Sequence, residues 1–136
     1  MSGHRLIPIV PSAEGGSSPS APIYVILVPN PNLKSFAVFG SVAGVAKASA
    51  GNLMSISASN SNAATRYLQI FDQNIVPILN DIPVLEWQIV TSAQILVGYD
   101  FLNGKPMSGI AWGVSTTSGS YTAATAAQHN VEGTYI

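Results

Sequence analysis

The sequence contains no cysteine, which excludes disulfides and thiolate metal sites and leaves the redox state of its compartment open. Charge is nearly as scarce. Only 8% of the 136 residues are Asp, Glu, Lys or Arg, against roughly 25% in an average soluble protein. The five basic residues, Arg5, Lys34, Lys47, Arg66 and Lys105, are scattered, and the net charge is −1. Nucleic-acid binding needs clustered cations that displace counterions from phosphates, so no nucleic-acid partner is expected. A free monomer usually keeps its surface soluble with mixed charges. Here Ser, Thr, Asn, Gly and Ala must cover most of the outside. That composition suits faces occupied by neighbouring subunits, because burying unpaired charge at a contact is costly.

Long apolar runs are missing too. Apolar residues make up 47% of the chain, but a spanning helix needs about 20 of them in succession. Ile23–Val28 is short, and the stretch 36–46 is broken by Gly40, Ser41 and Gly44. No membrane partner is expected. Near the N-terminus, Leu6-Ile7-Pro8-Ile9-Val10-Pro11 is too short and too broken by proline for a signal peptide, and export by that route is not expected.

Catalytic patterns are absent in the same way. The two histidines, His4 and His129, stand alone, with no His-x-x-x-His or His-x-Glu spacing to seed a metal site. His129, beside Asn130, reads as a solvated strand-end residue. Neither a Gly-x-Ser-x-Gly elbow nor a phosphate-binding loop occurs. Asp72 and Asp81 fall in turns, where Asp caps backbone donors, while Glu86 and Asp100 fall on the polar phases of strands. The chain therefore reads as a non-enzyme, with no catalytic residues, metal or cofactor expected.

What is present begins with a Pro/Ser/Gly-rich segment. Residues 1–22 hold Pro8, Pro11, Pro19, Pro22 and Gly15-Gly16-Ser17-Ser18, and bury too little to offset their ordering entropy. They read as an extended or flexible arm. It either stays disordered or becomes ordered on a partner, with Leu6, Ile7, Ile9 and Val10 as its adhesive part. A single domain is expected over 23–136.

Within that domain, apolar residues alternate with small or polar ones. Met54, Ile56 and Ala58 alternate with serines; Leu85, Trp87 and Ile89 with Glu86 and Gln88; Val131, Gly133 and Tyr135 with Asn130, Glu132 and Thr134. Ile95, Val97, Tyr99 and Phe101 continue the theme, as do Ile110, Trp112 and Val114 against Ala111, Gly113 and Ser115. Period two marks strands with one buried face. Many short strands with turn signals between them indicate an all-β antiparallel sandwich or barrel with one wet face per sheet. Residues 61–71 are ambiguous, since Leu68, Phe71 and Ile75 also fall at helical spacing after possible caps. Trp87 and Trp112 lie on apolar phases. They are either core residues or, facing solvent, rings that stack on a sugar.

The run Lys47-Ala48-Ser49-Ala50-Gly51-Asn52-Leu53, followed by Asn60-Ser61-Asn62-Ala63-Ala64-Thr65-Arg66-Tyr67-Leu68-Gln69-Ile70-Phe71-Asp72 and Ile82-Pro83-Val84-Leu85, resembles small structural proteins of tailed-bacteriophage virions. The resemblance extends over roughly residues 42–136 and leaves 1–35 uncovered. It implies a jelly-roll-like antiparallel β-sandwich in which residues 64–71 form a strand ending in a turn at Asp72. In function it implies a capsid decoration or cement protein of the virion, assembled in the host cytoplasm. Such a protein binds the major capsid protein or other virion proteins as a homo-oligomer, such as a trimer. The alternative is a receptor- or glycan-binding module of a head fibre, neck or tail. If the arm makes the contact, deleting residues 1–22 leaves a folded domain that no longer binds particles. Full occupancy by the truncated protein in a particle-binding assay would overturn that expectation.

Overall fold

A computed structural model of the protein describes residues 5–9, 23–27, 32–125 and 128–136. The chain divides into two compact units, Met1–Asn32 and Leu33–Ile136. In the first, β1 (Arg5–Ile9) and β2 (Ile23–Leu27) form an antiparallel pair, with Arg5 opposite Leu27 and Ile9 opposite Ile23. Leu6, Ile7 and Ile9 of the expected adhesive segment fall on β1. Val10 and the expected boundary at Pro22 lie outside the described residues.

The second unit holds β3 (Lys34–Phe39), β4 (Ala43–Lys47), β5 (Gly51–Asn60), β6 (Arg66–Asp72), β7 (Leu85–Ile89), β8 (Ala93–Val97), α1 (Tyr99–Leu102), β9 (Lys105–Met107), β10 (Ile110–Ser115) and β11 (His129–Tyr135). Its strands form two antiparallel sheets. One has the order β4-β10-β6-β7; the other has the order β3-β11-β5-β8, with β9 also paired to β5. The two share one core. Leu53, Ile56 and Ala58 of β5 and Val131 of β11 join Leu68 and Ile70 of β6 and Ile110, Trp112 and Val114 of β10. This is the sandwich that the period-two patterns predict, because each alternating strand has one apolar face to bury. At its centre the indole of Trp112 is 1% exposed and lies against Gly44. A Cβ at Gly44 would stand 3.0 Å from that ring.

The ambiguous stretch is the strand β6. Leu68 and Ile70 face the shared core, whereas Gln69 and Phe71 face the other way and are also 0% exposed. A central strand covered on both faces has no period-two signature, which is why its local pattern does not distinguish strand from helix.

Two expectations are corrected. Ala111, Gly113 and Ser115, on the phase expected to be wet, are buried. After β10 the chain folds back over the outer face of its own sheet, with a bridge between Ser115 and Ala123 and a 2.8 Å hydrogen bond from Thr116 N–H to the Thr122 carbonyl. Tyr121 then lies over Gly113 and meets Phe71 edge-on, with ring centroids 5.9 Å apart at 87°. The sheet of β10 is thus covered on both sides at its middle.

The strand expected from Ile95 through Phe101 also stops early, at Val97. Gly98 is followed by the single turn of α1, and Asn103 and Gly104 leave it in the left-handed region at φ 48° and 61°. Pairing with β5 then resumes through β9. Val97 lies opposite Ile56 and Lys105 opposite Leu53, so residues 98–104 bulge out beside Met54 and Ser55. Tyr99 and Phe101 are lifted out of the sheet and left 53% and 68% exposed. Asp100 sits on this turn and not on a strand.

The Gly113–Tyr121 contact is testable as a cycle. A Cβ at Gly113 would approach Tyr121 Cε2 to 2.5 Å. Gly113→Ala is expected to cost about 1–3 kcal/mol in urea denaturation, the range for overpacking. The cost should largely disappear in a Tyr121→Ala background. An equal penalty in both backgrounds would mean that the tyrosine ring is not the obstacle.

Candidate interaction surfaces

Three of the mid-chain carboxylates are engaged in holding loops. Asp72 Oδ1 accepts from the Ser108 amide at 2.6 Å and its hydroxyl at 2.7 Å, and these bonds hold the Asp72 pKa below its ordinary value. Asp81 Oδ2 accepts from Gln73 Nε2 and Ile78 N, both at 3.0 Å, and is lowered for the same reason. Glu86 receives Ser118 Oγ at 2.6 Å, the Gly119 amide at 2.9 Å and Gln69 Nε2 at 2.6 Å. Burial pushes the Glu86 pKa up, yet the three hydrogen bonds together outweigh it and leave the group lowered. Glu86 and buried Gln69 therefore pin residues 117–120 onto the outer face of the first sheet. Among the described residues, no group of three His, Cys, Asp or Glu side chains could hold a metal ion.

The asparagines between β5 and β6 act similarly. Asn60 donates from Nδ2 to the carbonyls of Ala64 at 2.9 Å and Ile89 at 3.1 Å, and accepts from the Asn62 amide at 2.9 Å. Asn62 Oδ1 accepts from the Ala64 amide at 2.8 Å. The Asn-x-Asn-Ala-Ala motif is thus a pair of local side-chain turns that ties the crossover to the end of β7.

His129 corrects another expectation. It is 2% exposed, on the inward phase shared with Val131, opposite Asn60. Neither ring nitrogen has a hydrogen-bond partner, and the nearby Arg66 Nε is also unpaired. Burial, then the positive charge of Arg66, push the His129 pKa below its ordinary value, while the Ser59 backbone opposes weakly from outside hydrogen-bonding geometry.

The two tryptophans do not form a stacking site. Trp112 is inside the core. Trp87 is half-buried against the same core and meets Phe101 edge-on, with centroids 6.1 Å apart at 72°. Beside Trp87, Phe101 and Leu96 are 68% and 76% exposed, and a second group of large exposed apolar side chains lies in one loop. Ile75, Val76, Ile78, Leu79, Ile82 and Val84, all in the β6–β7 loop, are 47% to 71% exposed. The one charge among residues 73–84, Asp81, is turned onto the loop's own Ile78 amide. Backbone bonds from Asn80 N to Tyr121 O at 2.9 Å, from Tyr121 N to Asp81 O at 2.8 Å and from Val84 N to Ile70 O at 2.8 Å hold the loop in place. Sequence reasoning marked the turn at Asn80-Asp81, Ile75 at helical spacing and Ile82-Pro83-Val84-Leu85, but no apolar projection. The signal it passed over was the uncharged run Asn74-Ile75-Val76-Pro77-Ile78-Leu79 in a segment with no strand periodicity.

No family model matches the chain, and the comparisons with curated proteins and with solved structures found no match. These comparisons supply no link to virion proteins, so a functional reading rests on the residues themselves.

The histidine has a measurable consequence. The unfolded chain takes up a proton at His129 near its ordinary pKa of 6.5, whereas the buried ring resists it. Stability is therefore fully present above that pH and is lost as pH falls from about 6.5 toward the depressed folded value. Asp72, Asp81 and Glu86, all lowered, add a second loss below about pH 4. His129→Leu should flatten the upper phase of a urea-midpoint profile and keep the lower one. An unchanged upper phase would assign that loss to another group.

Proposed function

We propose that this protein is a non-enzymatic structural component of a tailed-bacteriophage virion. In this reading it is a capsid decoration or cement protein that binds the outer surface of the head and stabilises contacts between capsid subunits. The observation that carries the reading is the 73–84 loop, a firmly held projection of apolar side chains with its single carboxylate already satisfied from within. Exposed apolar patches of this kind mark protein contacts. Covering the loop removes apolar surface from water at about 25 cal/mol per Å² and strips no unpaired charge of its hydration.

The wiring agrees with such a role. The orders β3-β11-β5-β8 and β4-β10-β6-β7 have the chain change sheets at every connection except β6 to β7 and β8 to β9, and we read this as a jelly roll, two Greek keys folded together. Jelly rolls recur in viral capsid domains and in lectins, so the wiring favours both the cement reading and its glycan-binding alternative without separating them. The residue pattern from Lys47 to Leu85 and the scarcity of charge favour the first. Identical copies usually associate with closed symmetry, and a homotrimer bound to the major capsid protein is the arrangement we adopt.

The test is a double substitution, Ile78→Asp with Leu79→Asp. Both side chains are about two-thirds exposed, so the variant is expected to keep its melting temperature within a few degrees. It should fail to bind undecorated heads in a sedimentation assay. Full occupancy by the folded variant would remove the loop as the contact surface.

A further inference from the structure

The registers of β3, β11, β5 and β8 place Phe39, Asn130, Ser59 and Gln94 in one row across the outer face of the second sheet, and Ala37, Glu132, Ser57 and Leu96 in the next. With strands about 4.8 Å apart, each row spans roughly 14 Å. A shallow depression of about 190 Å³ lies between them, lined by Phe39, Ser57, Ser59, Gln94, Asn130 and Glu132. Phe39 is 73% exposed and Leu96, at the opposite corner of the two rows, 76%, with the smaller Ala37, Ser57 and Ser59 between them. The exposed amides of Gln94 and Asn130 and the carboxylate of Glu132 have no hydrogen-bond partner among the described residues. No Lys or Arg stands in either row, and Glu132 is their only charge.

We infer that this face binds a neutral sugar. A pyranose ring has an apolar C–H face and a rim of neighbouring hydroxyls that both donate and accept. Phe39 supplies a flat apolar surface for the first. The two amides each offer a donor and an acceptor, and the carboxylate offers two acceptor oxygens, a set suited to the second. The small side chains of Ser57 and Ser59 leave the ring room to lie flat. Acidic sugars are disfavoured by the like charge of Glu132, with no Lys or Arg in either row to compensate. The site owes nothing to Trp87 or Trp112. It is also independent of the cement reading, since the 73–84 loop is fastened to Tyr121, which covers the other sheet.

The experiment is a titration of the isotopically labelled full-length chain, followed by backbone amide shifts. The probes are oligosaccharides ending in glucose, galactose or N-acetylglucosamine, with sialyllactose as the acidic probe. At least one neutral probe is expected to shift amides of β3, β11, β5 and β8 with a Kd on the order of 1 mM, the weak end of the affinity scale. Phe39→Ala and, separately, Gln94→Ala should each weaken that binding roughly tenfold, about 1.4 kcal/mol. Both side chains are exposed, so an unchanged spectrum elsewhere verifies the fold. The inference is overturned if no neutral probe shifts these strands at about 10 mM, well above the expected Kd. It is also overturned if both variants bind as the parent does, or if sialyllactose binds more tightly than the neutral probes.

Discussion

The arrangement on which most of this structure depends is the coverage of β10 on both of its faces. On the inner side Ile110, Trp112 and Val114 fill the space between the sheets, and Gly44 makes room for the indole. On the outer side Ala111 and Gly113 are small enough for Phe71 and Tyr121 to close over them. Large side chains on one phase and small ones on the other allow a single strand to belong to two packed layers. A fully buried large apolar side chain contributes about 1.5–3 kcal/mol relative to exposure, so this strand anchors much of the unit's stability.

Closing the outer face organises what lies beyond it. Tyr121 is reached only if residues 116–124 double back, and their turn is fastened by Ser115, Gln69 and Glu86. Through its backbone Tyr121 then holds Asn80 and Asp81, and with them the apolar 73–84 loop. The loop is held from behind, by Asp81 on the Ile78 amide and by the Tyr121 backbone on Asn80 and Asp81. Carboxylates that a catalytic reading would single out are in this molecule anchors for loops, and their lowered pKa values record hydrogen bonds to backbone and side-chain donors.

The two sheets differ accordingly. The sheet of β10 has lost much of its wet face to a covering loop. The sheet of β11 keeps one, where Glu132 and Asn130 remain open to water, Ser59 is half-buried and Phe39 stands among them. This asymmetry separates the two surfaces for which a function is proposed, an apolar projection fastened to the first sheet and a polar face with one aromatic ring on the second.

The β-rich character of residues 33–136 was legible in the sequence because period two survives wherever one face of a strand is buried and the other is not, as in Leu53–Ser59 and Val131–Tyr135. β6 was not legible from its own periodicity, since apolar groups on both sides erase the period, and only the resemblance implied a strand there. The wet phase of β10 was misread because Ala, Gly and Ser look alike whether they face water or a close neighbour, and the neighbour here, Tyr121, lies several residues beyond the strand. His129 looked like a surface residue for want of a nearby apolar run, although its burial comes from β5 and β6. Local sequence determined the alternation, the turns at Asn80-Asp81 and Asn103-Gly104, and the shortage of charge, because each of these depends on a residue and its immediate neighbours. Tertiary structure alone decided which small residues are covered, that the 73–84 loop points outward, and that Phe39, Asn130, Gln94 and Glu132 share one face. Those outcomes depend on strand register between segments far apart in the chain, and no window of the sequence contains both partners.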